Sequence, residues 1–380
     1  MRFETRAEMA QLFEERMRRD YTKESRPDRS EVDTSLLKTF LLEAHLPESA
    51  SLNDAHELAR QLFSSKIQGD QAEISVSRTA DPSLIGVHSQ TKSDRVDLFL
   101  DVANPRYWIA HSISGSSAVD RVVRRAVRSG PQLDRAWLPI QLLEHLTTLG
   151  RFRALSLDFD RRAIKDVDFE LPDAPVSYLK MQLAGNRAAD VLHLLRERGA
   201  YASETALSKV KLTYWENSED EDLFSVDEVK FDGRIAVRGL SFDSHIDFVT
   251  RAYEAYQRKI NSFEKEFAIR SVESDGCWRI DGSPFLFRFK RNVRNLSAFC
   301  ESLFASKEPF RLWGVPVPTG SYSYRVRGVD LHAGCAMNFE ITPEWIRVYL
   351  PAGGCGNTVL RLFTNLQHHY DSMISAHDED

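Results

Sequence analysis

Four short segments with alternating polar and apolar residues follow one another between residues 72 and 114: AEISVSRT, LIGVHSQ, RVDLFLDV and RYWIAHSIS. Turn-forming pairs such as Asp81-Pro82 and Asn104-Pro105 lie between them. A two-residue period is typical of a strand with one buried face, and strands joined by short turns pair antiparallel. Because helical segments flank these strands, the pattern predicts an α+β fold in which helices pack on antiparallel sheets.

The first seventy residues are predicted to be helical. Met9, Phe13 and Met17 recur at the four-residue spacing of an amphipathic helix. Two further helices are predicted from the segments VDTSLLKTFLLEAH and SLNDAHELARQLFSSK, the second of them capped by Ser51. We therefore expect an N-terminal helical segment before the first sheet.

The chain has 380 residues, which is more than one hydrophobic core usually contains. We predict a helical region over 1–70, an α+β domain over 71–175, and two α+β units over 176–275 and 276–380. Each of the last two units has the order strand, helix, several strands, helix. Either a duplication or the general frequency of this order in α+β domains explains the match.

This order of elements is similar to the repeat of TATA-binding-protein-like saddles. In those proteins a curved sheet has helices on one face and a binding surface on the other. The similarity is one of topology alone and no residue motif supports it, so it transfers no site residue to this chain.

A long helix is predicted over residues 244–268. From Phe242 to Phe267 the apolar residues are spaced alternately four and three positions apart, which makes one continuous stripe. The stripe either packs on the chain's own sheets or forms an interface with a partner protein or a second copy. The interface hypothesis rests on Tyr253, Tyr256, Ile260 and Phe263.

Basic residues recur on two predicted strands and one predicted helix. In FLFRFKRNVR, alternation directs three phenylalanines to one face and Arg288 and Lys290 to the other, and YSYRVRG repeats the arrangement. These surfaces either bind an anion or nucleic acid, or are ordinary solvated faces. The candidate anion-binding residues are Arg121, Arg124, Arg125, Arg128, Arg288, Lys290, Arg291, Arg294, Arg325 and Arg327.

Two catalytic or metal-binding arrangements are weaker alternatives. Asp222, Glu228 and Lys230 resemble the two carboxylates and the lysine of a metal-dependent nuclease, although the upstream acid lies unusually close in sequence. His332, Cys335, Cys355 and His368 are a conceivable zinc set, but close ligand pairs occur in only one half of it. We expect neither a metal nor another cofactor.

Composition narrows the class of function. The net charge of −6 argues against indiscriminate nucleic-acid binding, and four cysteines without a C-x-x-C pair are typical of a reducing compartment. With no signal peptide or membrane span evident, we predict a cytoplasmic protein. The sequence favours a non-enzymatic accessory or adaptor component of a prokaryotic multi-protein system, which binds a partner protein and also, as an open option, nucleic acid. A divergent metal-dependent nuclease is the alternative.

Overall fold

A computed structural model describes residues 5–24, 36–47, 49–64, 73–92, 94–164, 176–197, 201–217, 222–274 and 276–376. Within these ranges the chain forms eight α-helices and three antiparallel sheets, which confirms the predicted α+β fold and its N-terminal helix. None of the helices in the described ranges has both the length and the apolar character needed to cross a bilayer.

The helices are α1 (Arg6–Glu24), α2 (Leu52–Ser64), α3 (Ser116–Ser129), α4 (Ile140–Leu146), α5 (Ala188–Glu197), α6 (Phe242–Ser262), α7 (Leu296–Leu303) and α8 (Gly356–His369). The strands are β1 (Leu37–Ala44), β2 (Glu73–Arg78), β3 (Leu84–Gln90), β4 (Arg95–Asp101), β5 (Tyr107–Ser112), β6 (Leu133–Arg135), β7 (Arg151–Asp160), β8 (Tyr178–Ala184), β9 (Leu207–Trp215), β10 (Phe224–Lys230), β11 (Arg234–Gly239), β12 (Arg270–Ser274), β13 (Cys277–Asp281), β14 (Phe285–Arg288), β15 (Leu312–Gly320), β16 (Ser323–Asp330), β17 (Ala336–Ile341), β18 (Trp345–Tyr349) and β19 (Ser375–Ala376).

The chain divides into two compact units, and each unit combines several separate segments. The first unit contains Met1–Ala136, Leu146–Phe152 and Lys211–Tyr253. The second contains Trp137–His145, Arg153–Val210 and Glu254–Asp380. The chain therefore enters and leaves each unit more than once.

In the first unit the strands follow the order β2-β3-β4-β5-β1, and β11 and β10 continue the sheet beyond β1. Helices α2 and α3 pack on one face, over a core that includes Phe40, Leu100 and Trp108. Helix α1 packs on the opposite face through Met9, Phe13 and Met17. Both faces of this part of the sheet are thus covered by helices.

The helix predicted for the segment that contains β1 is wrong. VDTSLLKTFLLEAH was expected to form a helix, but Leu37–Ala44 is a strand between β5 and β11. All eight of its residues are buried. A strand buried on both faces has a continuous apolar run instead of a two-residue period, and periodicity alone cannot distinguish such a run from a helix.

The second unit contains a six-stranded sheet in the order β15-β16-β17-β18-β14-β19. Helices α7 and α8 pack on one of its faces, where Phe363 stacks on Phe287 with ring centroids 5.0 Å apart. At the end of α7, Phe304 meets Phe339 of β17 at 4.9 Å. This sheet accordingly has one face covered by its own helices.

The order strand, helix, four-strand meander, helix occurs over residues 37–129 and again over 285–369, and in both segments the first strand lies beside the last. We call these segments the first and second repeat. In the predicted unit 176–275, by contrast, β8 pairs with β7 and β11 pairs with β1. The segment over 37–129 is therefore the closer topological match to the C-terminal one.

The long helix forms as predicted. Helix α6 covers Phe242–Ser262 and continues as one π-helical turn over Phe263–Phe267. The apolar stripe that runs along it explains why a helix of this length is stable, since packing of an apolar face supplies most helical stability.

Candidate functional site

One face of the second repeat's sheet, opposite α7 and α8, is largely exposed, and we call it the open face. Strand alternation defines its members, because their neighbours Val326, Phe339 and Val348 point inward and are buried. The open face comprises Leu286, Arg288, Trp313, Val315, Val317, Arg325, Arg327, Asn338, Glu340, Trp345, Arg347 and Tyr349.

The strand register arranges these side chains in rows that cross the sheet. One row runs from Val317 through Arg325 and Glu340 to Arg347. The next runs from Val315 through Arg327 and Asn338 to Tyr349. A groove of about 770 Å³ lies over these two rows. It is large enough for a macromolecular segment or a sizeable ligand.

The most exposed apolar residues of the open face lie on β15. Trp313, Val315 and Val317 are 51%, 60% and 54% exposed and occupy alternate positions on this edge strand. Scattered exposed apolar residues are ordinary, but a continuous row of them next to a groove is typical of a binding surface. Pairing of another strand with the free edge of β15 is disfavoured, because Pro316 and Pro318 have no N–H group to donate.

Both carboxylate oxygens of Glu340, the acidic residue of the open face, already have partners within that face. Its Oε1 lies 3.0 Å from Nη2 of Arg325, and its Oε2 accepts a 3.0 Å hydrogen bond from the Tyr349 hydroxyl and lies 3.6 Å from Nη1 of Arg347. Burial and the bond to Glu340 raise the pKa of Tyr349. Glu340 therefore fixes the cationic side chains in position while cancelling only part of their charge.

Two other arginines of the open face are not held by Glu340. Arg327 lies between Val315 and Asn338 in the register, and Arg288 lies opposite Trp345. Both are exposed, and the part of the chain that the structure describes shows no ion pair to either of them. Four arginines against one carboxylate give the open face a net positive charge.

The residues of the segment FLFRFKRNVR have three different environments in the structure. Phe285, Phe287 and Phe289 are buried, and Arg288 shares the open face with Arg325 and Arg327, as alternation predicts. Lys290, Arg291 and Arg294 follow the end of β14. The backbone N–H groups of Lys290 and Arg291 donate to Asp371, and the Arg291 guanidinium pairs with Glu204.

The basic helix α3 lies in the first unit. Arg121, Arg124 and Arg128 are exposed, whereas Arg125 is buried against the sheet. Arg121 lies 3.3 Å from Asp94, and Arg124 lies 2.6 Å from Asp120. Neighbouring acids thus offset part of this stripe, and its role in anion binding stays a prediction.

The stripe on α6 faces inward. Tyr253, Tyr256, Ile260 and Phe263 are all buried within the chain. The Tyr253 hydroxyl donates to the backbone carbonyl of Leu42, and burial raises its pKa well above the usual value. A second chain could reach these four side chains only if the helix were first uncovered.

The nuclease residues are spread along β10. Asp222 precedes the strand, and Glu228 lies about 13 Å along it from Phe224, its first residue, at a rise of ~3.3 Å per residue. Lys230 shares a strand face with Glu228, and its Nζ lies 3.4 Å from Asp232. Glu228 and Lys230 thus share one strand face, whereas Asp222 lies before the first residue of the strand.

The zinc residues are gathered only in part. A ligand atom of His332 lies within 4.8 Å of the Cys355 Sγ, and both residues are buried. Among the described residues, neither Cys335 nor His368 joins this pair as a third ligand within that distance. The Cys335 thiol points to the Ala333 carbonyl instead, and Nδ1 of His368 bonds the Asp158 carbonyl.

A buried chain of hydrogen bonds in the first unit has no counterpart in the sequence analysis. Ser225 donates to Asp227 at 2.5 Å, His245 Nδ1 lies 2.6 Å from Asp227, and Thr39 lies 2.7 Å from His245 Nε2 and 2.9 Å from His111 Nδ1. Because a carboxylate oxygen accepts, Nδ1 of His245 carries a proton and donates it to Asp227.

All five side chains of this buried chain are enclosed. Burial, and next the neighbouring His245, lower the pKa of His111 to about 3, so His111 remains neutral at ordinary pH. Fully satisfied networks of this kind rigidify a core. The sequence offers one signal, because Asp227 shares the two-residue period of the apolar Val229 in the segment LFSVDEVKF.

Comparison with known proteins finds matches that extend over both units. The profile of the family described as MJECL33-like protein matches residues 1–380. The protein MJECL33 of Methanocaldococcus jannaschii is 25% identical over 401 aligned residues, which cover 97% of this chain and 92% of that protein.

Proposed function

This chain belongs to the MJECL33-like protein family, and we propose that it is a non-enzymatic accessory or adaptor component that binds a partner protein through the open face. The observation that carries the proposal is the pairing of an exposed apolar row on β15 with a cationic surface on the adjoining strands. The opposite face of this sheet packs against α7 and α8, so the exposed row lies outside the core of the sheet.

The apolar row supports macromolecular binding on energetic grounds. Removing apolar surface from water is favourable by roughly 25 cal/mol per Å². Trp313, Val315 and Val317 keep more than half of their surface in water in the isolated chain. A partner that covers them gains this contribution, and Trp and Arg are common anchors at protein interfaces.

The charges indicate what kind of segment the partner presents. Arg325 and Arg327 line the groove beside the apolar row, Arg347 and Arg288 lie farther across the same face, and the face has a net positive charge. Complementary charge fixes the register of a complex and accelerates its formation. The docking segment of the partner is therefore acidic.

Two features favour a protein partner over nucleic acid. The whole chain has a net charge of −6, which repels a polyanion at long range. Glu340 also places a carboxylate in the middle of the open face.

Site-specific photocrosslinking tests the proposal. A benzophenone amino acid would replace Val317 in the full chain, expressed in the source organism, and a second variant would carry it at Leu194. Leu194 is a matched control, because it is 56% exposed in the same unit but lies on α5. We expect a protease-sensitive adduct from position 317 alone, and its loss when Arg325→Glu and Arg327→Glu are added.

Other results would contradict the proposal. Equal adducts from positions 317 and 194 would show that the open face has no preferred partner. A nuclease-sensitive adduct would identify nucleic acid as the occupant. Cleavage of plasmid DNA with magnesium or manganese, abolished by Glu228→Ala, would favour the nuclease alternative.

A further inference from the structure

The two repeats differ in what lies on the sheet face opposite their own helices. In the first repeat α1 lies over β1, β3 and β4 on this face, where its Met9, Phe13 and Met17 are buried with Leu37, Leu84 and Phe99. The ring of Phe13 lies 6.0 Å from that of Phe99. In the second repeat the equivalent face is the open face, and no described residue covers its apolar row.

We infer that the occupant of the open face is an acidic amphipathic α-helix of the partner, which lies on the second repeat as α1 lies on the first. This inference rests on the proposed function and adds the secondary structure of the docking segment. Three observations support it. The two repeats have the same topology, α1 lies on the first repeat, and the open face of the second repeat has a net positive charge.

The first repeat presents carboxylates to α1, whereas the second repeat presents arginines on its open face. Arg6 of α1 pairs with Asp81 and Asp101 of the first repeat, its Nε lying 3.1 Å from Asp81. The hydrogen bond to Asp101 raises the pKa of Arg6, which agrees with a stable pair. On the second repeat the surface cations are arginines, so a helix bound in the α1 manner needs Asp or Glu beside its apolar stripe.

The dimensions are compatible with a short helix. Five strands spaced about 4.8 Å apart make a sheet roughly 19 Å wide, and a helix rises ~1.5 Å per residue, so about 13 residues cross it. Strand addition is disfavoured as the alternative mode, because Pro316 and Pro318 interrupt the donors of the β15 edge.

A set of synthetic peptides separates the helix from its charge. The first peptide has the sequence of α1 with Arg16→Glu, Arg18→Glu and Arg19→Glu, so that Met9, Phe13 and Met17 keep their spacing. The second is a scramble of the same composition that destroys the stripe, and the third is the unchanged α1 sequence. A single-stranded 20-nucleotide DNA is the fourth probe.

Fluorescence anisotropy with the full chain measures binding of each probe. We expect the acidic amphipathic peptide to bind at least tenfold more tightly than the scramble and the unchanged sequence. Arg325→Glu with Arg327→Glu should weaken it at least tenfold, and circular dichroism should show an increase in its helicity on binding. The double variant is also a control for displacement of α1 from the first repeat by the peptide. Both substitutions lie on the second repeat, so they should not affect binding at the α1 position.

Each remaining outcome overturns the inference. Equal affinity for the acidic peptide and its scramble would show that charge alone is recognised, while the proposed adaptor function would stand on the crosslink. Equal affinity for the unchanged α1 peptide would contradict the charge argument. Failure of all peptides would reject the helix, and tighter binding of DNA would replace a protein partner by nucleic acid.

Discussion

At the scale of single residues, β14 shows how one strand separates stability from binding. Phe287 is 1% exposed and stacks on Phe363, whereas its neighbour Arg288 projects from the open face. This division could be predicted from the sequence, because the two-residue period of a strand requires no knowledge of what packs against it.

Substitutions at these neighbouring positions should therefore have opposite effects. Phe287→Ala should lower the free energy of unfolding by roughly 3 to 5 kcal/mol, since it leaves a cavity in the core. Arg288→Ala with Lys290→Ala should leave the melting temperature within a few degrees of the wild type, because both side chains are exposed. Urea and thermal unfolding monitored by circular dichroism would measure both, and an equally large loss in the two variants would contradict this division.

The hydrogen-bonded chain of Thr39, His111, Asp227 and His245 could not be predicted, since its members are far apart in sequence and only the packed sheet brings them together. Nothing in the local pattern around Thr39 or His111 distinguishes them from other strand residues. A polar network in a core depends on tertiary contacts, and the periodicity of apolar residues in a sequence does not reveal such contacts.

This network predicts a pH dependence of stability. In the unfolded chain a histidine has a pKa of about 6.5, whereas burial lowers that of His111 to about 3. Between these values the unfolded state binds one more proton, so stability is full above pH 6.5 and falls by roughly 1.4 kcal/mol per pH unit as the pH decreases.

The variant His111→Asn isolates this contribution, because asparagine keeps a donor for Thr39 but does not titrate. Urea unfolding between pH 4 and 6 should give a stability slope that is smaller in the variant by about 1.4 kcal/mol per pH unit. Identical slopes in the two proteins would show that His111 is not the group responsible.

At the scale of secondary-structure elements, α6 and β1 show where sequence patterns succeed and fail. The stripe on α6 has an unambiguous helical period, and the helix begins at Phe242, close to the predicted start. The apolar run of β1 has no period. Whether it forms a helix or a strand depends on pairing with β5 and β11, which the sequence does not reveal. The pattern on α6 also could not distinguish packing within the chain from an interface.

Because Tyr253 and Tyr256 are buried, charge at these positions should unfold the protein. Tyr253→Glu with Tyr256→Glu should abolish the cooperative thermal transition, whereas Tyr253→Phe, which loses only the hydrogen bond to Leu42, should cost about 1 kcal/mol. Calorimetry combined with light scattering measures both effects. A folded double variant of lower mass would instead support the interface hypothesis for α6.

At the scale of the whole molecule, the elements of the second repeat follow the predicted order closely, but the composition of the two compact units does not follow from the sequence. Each unit combines segments separated by many residues, such as Lys211–Tyr253 with Met1–Ala136. Composition and turn signals mark where elements end, and they do not indicate which distant elements pack together.

The central claim is that a partner covers the open face, and hydroxyl-radical footprinting of the complex recovered from the source organism tests it most directly. Trp313 and Trp278 are 51% and 72% exposed in the same unit, but only Trp313 belongs to the open face, so Trp278 on β13 is an internal control. We predict that oxidation of Trp313 falls several-fold in the complex relative to the free chain, with Trp278 unchanged. Equal oxidation of Trp313 in both states would contradict the claim.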